Sequence, residues 1–127
     1  MSASFDGHSN PFTRLLIAKM WLAIAQVDGG QGGLRAQAAQ QAVQQAQDQT
    51  ASLTEPCARQ ARDALQWAEA TKQSLERRYL NAVDLLGEQN VGTREVEAQI
   101  TVLRDEIDIL ERRMQACPKQ YYGPEDQ

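Results

Sequence analysis

Apolar side chains in the last third of the chain recur with the rhythm of a coiled coil. Val96, Ile100, Leu103, Ile107, Leu110, Met114 and Cys117 follow one another at steps of 4, 3, 4, 3, 4 and 3, which keeps all of them on one stripe of a helix. The preceding segment shows the same alternation in Ala58, Ala61, Leu65, Ala68, Lys72, Leu75, Tyr79, Ala82 and Leu86, with Lys72 its one polar member. Gly87, Asn90 and Gly92 punctuate the stretch between them, so a turn over 87–92 should join two antiparallel helices. In such a hairpin the numbers of facing residues share one sum. A sum of 182 sets Leu86 against Val96, Tyr79 against Leu103, Leu75 against Ile107, Lys72 against Leu110, and Leu65 against Cys117. Its centre is residue 91, inside the glycine-marked turn.

The N-terminal half reads differently. Residues 1–11 are small and polar and predict a flexible arm that ends in a helix start. Residues 12–27 form the most apolar run, with Phe12, Leu16, Met20, Ala23 and Val27 on one face and Leu15, Ile17, Trp21, Leu22 and Ile24 widening it. Four glycines in the six residues from Asp28 to Gly33 then make a joint that helix formation would order at a high entropic cost. Leu34 opens an Ala/Gln helix with seven glutamines by residue 53 and a thin apolar face. Pro56 imposes a kink or restart near 54–56. Residues 34–118 are read as one hairpin domain, and residues 119–127, beyond Pro118, as a tail.

The expected fold is therefore all-α: an elongated antiparallel coiled-coil hairpin with an N-terminal Ala/Gln-rich helix and a tethered apolar helix. The run 12–27 is 16 residues long and contains Arg14 and Lys19, which is short and charged for a membrane span. Ala23-Ile24-Ala25 offers a small-x-small cleavage pattern, but Lys19 interrupts the apolar core that a secretory leader requires. The preferred reading makes it a docking helix isolated by the glycine joint, with Phe12, Leu16, Met20, Trp21 and Ile24 as interface residues. Contact of 12–27 with a membrane surface stays open. A second stripe on the last helix, Val102, Ile109 and Ala116 at seven-residue spacing, has nothing in the hairpin to cover it. Either the N-terminal helices or another chain must do so, and another chain is the favoured cover for at least part of it.

Composition removes most chemistry. One histidine, His8, and two cysteines sixty positions apart, Cys57 and Cys117, supply neither a usual zinc set nor a nucleophile with its base. The expectation is no catalytic residue, no cofactor and no metal. Cys57 sits eight positions from Leu65, the residue set against Cys117, which is about 12 Å of helix against the ~7 Å between alpha carbons that a bridge tolerates, so buried free thiols or an interchain bridge are preferred to an intrachain one. Net charge is −4, and residues 93–119 interleave six acids with five bases, so no basic face offers itself to nucleic acid. Lys72 in the seam is read as a register-setting residue whose ammonium reaches solvent.

Tyr121 with Glu125, and Tyr122 with Asp126, following a helical hairpin, resemble the Tyr-x-x-x-Asp/Glu signal of small helical substrates of mycobacterial-type secretion. The resemblance covers the tail alone, and the Trp-x-Gly turn of those proteins is absent here. The functional expectation is a non-enzymatic structural subunit that self-associates or docks in a larger assembly such as a virion, injection device or secretion apparatus. The rival is an exported or chaperone-type protein that uses the hairpin as a clamp. A cytoplasmic or within-particle location is favoured over a periplasmic or secreted one.

Overall fold

A computed structural model describes residues 10–29, 33–51 and 59–115, all four elements of which are helices. They are α1 (Pro11–Gly29), α2 (Leu34–Ala51), α3 (Arg59–Leu86) and α4 (Val91–Gln115). The arm 1–9, the expected break at 54–56, both cysteines and the tail 119–127 lie outside the described residues. The fold is the expected all-helical one, with α3 and α4 paired as a hairpin and α1 paired with α2.

Local chemistry sets the helix ends. Asn10 caps α1 by accepting the amides of Phe12 and Thr13 on its Oδ1, at 2.9 and 3.3 Å, and Pro11 occupies the first helical position, where a missing N–H costs nothing. At the end of α3 the chain turns through Gly87 at φ +87°, while its amide still donates to Val83 O at 3.0 Å. This left-handed cap suits glycine. Asn90 then caps α4, accepting the Gly92 amide at 2.8 Å and, on its carbonyl, the Arg94 amide at 3.0 Å.

That tight turn corrects the hairpin register. Thr93, whose hydroxyl and place just after the turn would suit a helix cap, is 1% exposed and instead donates that hydroxyl to Ala82 O across the seam at 3.4 Å. It is the first seam residue of α4, three before Val96. Pairing Thr93 with Ala82 moves the helices one heptad from the expected alignment, so Leu75 comes level with Ile100 instead of Ile107, and Ala68 with Ile107. Leu86 consequently runs past the helical part of its partner and is 54% exposed, instead of facing Val96.

The central finding is the position of α1. Two contacts and a shared groove set it antiparallel to α4 in one register: the Arg113 guanidinium over the Phe12 ring, 4.8 Å from its centroid, the Lys19–Glu106 ion pair at 2.8 Å, and the groove that Ala23 and Val27 line together with Ala98 and Val102. Asn10 Nδ2 donates to Gln60 O at 2.6 Å, so α1 starts beside the start of α3 and runs parallel to it. The chain therefore goes up, down, up and down. Phe12, Leu16 and Met20 belong to one core with Ala61, Ala64, Ala68, Leu75, Val96, Ile100, Leu103, Ile107 and Leu110. Leu65, Trp67, Tyr79 and Val102 pack against that core from its margins.

Burying an aliphatic or aromatic side chain stabilises by about 1.5–3 kcal/mol, and α3 presents mostly alanines at its buried positions, so the hairpin alone leaves shallow gaps. Phe12, Leu16 and Met20 fill them. Removing residues 1–29 should therefore cost much of the hairpin's stability and broaden or abolish its cooperative thermal transition, as followed by circular dichroism. The register is open to an independent check in a background with Cys57 and Cys117 replaced by Ser. There the pair Leu75→Cys and Ile100→Cys should oxidise to an intrachain bridge, while Leu75→Cys with Ile107→Cys should stay reduced.

Candidate interaction surfaces

No group of three or more His, Cys, Asp or Glu side chains converges in a way that could hold a metal among the described residues, and no described helix is long and apolar enough to cross a membrane. The surfaces of interest are contacts, and the residues expected to form them divide into two sets. Phe12, Leu16 and Met20 are 5%, 2% and 8% exposed and face the chain's own core. As docking residues they are corrected: an apolar run with two buried sides is satisfied within this fold. Trp21 is 40% exposed, Ile24 is half-buried, and Ile109 is 51% exposed.

Val102 and Ile109, expected to share one uncovered stripe, have different fates. Val102 is half-buried against the core and lines an open groove of about 460 Å³ between α1 and α4, with Ala23, Val27 and Ala98. The cover for this part of the stripe is α1, the intrachain option. Ile109 keeps an exposed side chain. On the other side of the ridge formed by Glu97 and Thr101 lies the α3/α4 groove of about 360 Å³, lined by Glu76, Tyr79, Leu80, Ile100 and Arg104.

The remaining seam residues sort by depth. Leu75, Val96, Ile100, Leu103, Ile107 and Leu110 are buried, while Leu65, Tyr79 and Met114 are half-buried. Lys72 reaches out of the seam to Glu76 one turn on, Nζ to Oε2 at 3.2 Å, a geometry in which the stem packs and the ammonium is solvated. An exposed pair of this kind contributes little to stability.

Two charged contacts pin α1 at different depths. Lys19 and Glu106 keep only 26% and 12% of their side chains exposed, so neither charge can be deleted without stranding the other. At the far end of α1, Asp28 accepts from Arg35 of α2 at 3.1 Å and also shares a hydrogen bond with Glu95 of α4. That bond, partial burial and the negative charge of Asp28 raise the Glu95 carboxyl above its ordinary value, against a smaller opposing pull from Arg35.

Sequence reasoning missed one surface. Leu80, Leu85, Leu86 and Val91 are 64%, 82%, 54% and 49% exposed and all lie within twelve residues around the α3/α4 turn. Leu34, 83% exposed, starts α2 at the same end of the bundle, next to the Asp28–Arg35 pair. The signal was available: Leu80, Leu85 and Val91 are large apolar residues off the 4–3 seam, and they concentrate at one end of it. No family model, curated protein or solved structure matches the chain.

The acid pair sets a pH dependence. Because the folded state raises the Glu95 carboxyl, it binds this proton more tightly than the unfolded chain, and the group's contribution to stability falls as pH rises from about 4.5 through the raised value. Glu95→Gln keeps a donor for Asp28 and removes the charge. It should stabilise the protein at neutral pH by about 0.5 kcal/mol, an advantage that fades toward pH 4 in urea titrations at the two pH values.

Proposed function

We propose that this chain is a non-enzymatic structural subunit that joins a protein assembly through the turn end of its α3/α4 hairpin, with a second copy of itself as the first partner. The observation that carries the reading is the cluster of Leu80, Leu85, Leu86 and Val91, each about half exposed or more on a bundle whose interior is already filled. Scattered surface leucines are ordinary, but four large apolar side chains exposed within twelve residues at one end of the bundle are a concentration that favours a contact site. The interleaved charges of α3 and α4 surround this end with polar residues, as the rim of an interface does. The rival reading, a hairpin that clamps a client, has less support because α1 occupies the face that a clamp would leave open.

Sedimentation velocity over a wide concentration range tests the proposal. The unmodified chain should show a concentration-dependent rise in mass, and the double variant Leu80→Glu, Leu85→Glu should lose self-affinity by about tenfold or more with an unchanged helical circular dichroism spectrum. A mass that stays monomeric at all concentrations would overturn self-association.

A further inference from the structure

The four helices are unequally held. Residues Arg14 and Asp28 of α1 both reach α2, through Arg14 Nη2 to Gln49 Oε1 at 2.8 Å and Arg35 to Asp28 at 3.1 Å. Fourteen residues is close to four helical turns, so these positions share one face of α1, and Ala18 and Ala25 fall between them on it. Those two alanines and Ile17 are 1%, 4% and 3% exposed, yet none belongs to the core that α1 builds with α3 and α4. They are the floor beneath α2.

What α2 presses onto that floor is small. Its buried side chains are Ala36, Ala39 and Ala46, one methyl each, with Ala42 and Val43 half-buried beside them, and its substantial helix contacts are with α1 alone. The contrast with α1, which brings Phe12, Leu16 and Met20 into the core, is one of buried apolar surface. Local stability follows that quantity, and the elements with least of it open first. Once off its floor, an 18-residue Ala/Gln helix has no tertiary packing and is marginal in water.

We infer that α2 is a removable cover: it leaves α1 in a local opening that keeps the α1, α3 and α4 core intact and uncovers the apolar face of α1 around Ile17, Ala18 and Ala25. The cover makes the chain a two-state object, with an apolar helical face shut in one state and presented in the other. This holds whether or not the hairpin end self-associates.

Native-state hydrogen exchange on the full chain, read by mass spectrometry, tests it. Amides of residues 34–51 should exchange at least about tenfold faster than those of α1, α3 and α4 under conditions where the latter three stay protected. A disulfide between Ala18→Cys and Ala46→Cys, buried alanines that the α1/α2 register sets beside each other, with Cys57 and Cys117 replaced by Ser, should slow exchange in residues 34–51 by a similar factor and leave α4 unchanged. Exchange of α2 in step with α1, exchange of all four helices together, or a bridged variant whose α2 exchanges at the unbridged rate would each overturn the inference.

Discussion

Two faces of α1 have to leave water at once, and the arrangement of the other helices answers that demand. A helix with one apolar stripe can lie on a surface, but one that is apolar around most of its circumference needs neighbours on both sides. Phe12, Leu16 and Met20 face the α3/α4 pair, whereas Ala18 and Ala25 lie on the α2 side. The division of residue sizes follows. Large side chains go where α3 offers alanines and leaves room, and small ones go where α2 also offers alanines and the two backbones can approach closely.

The parts of the fold that were legible in the sequence were those set by local periodicity. The 4–3 rhythm of α4 marked Val96 to Leu110 as buried, and Gly87 announced the end of α3 because a left-handed cap is costly for other residues. Two matters were not legible for physical reasons. A heptad repeat looks nearly the same after a slide of seven residues, so apolar pairing alone could not separate Leu75 with Ile107 from Leu75 with Ile100. The deciding residue was Thr93, whose hydroxyl made it look like a cap although its position in the repeat, three before Val96, made it a seam residue.

The second concerned the candidate surface. Unbroken apolarity in residues 12–27 reports that a helix is buried, without reporting whose atoms bury it. A glycine-rich joint serves equally a tethered docking arm and a turn between packed helices, so composition could not decide between a partner and the chain's own hairpin. Leu80, Leu85 and Val91 escaped notice for the opposite reason. A search for periodic stripes passes over apolar residues that fail the period, and these fail it on both sides of the turn.

The Lys19–Glu106 pair, together with Phe12 beneath Arg113, acts as a proofreading key for assembly of the bundle. If α1 docked on α4 one heptad away in one direction, Lys19 would meet Arg113, a like charge. In the other direction Lys19 would meet Gln99 and lose its counterion, while the Phe12 ring would meet the Glu106 carboxylate in place of a guanidinium. Each slip also sets an apolar residue against a charge, Val27 against Asp105 in the first and Ala23 against Glu95 in the second. Fidelity in this fold thus resides in charge and apolar matching read together along one helix pair, so that a slipped alignment of α1 loses both at once.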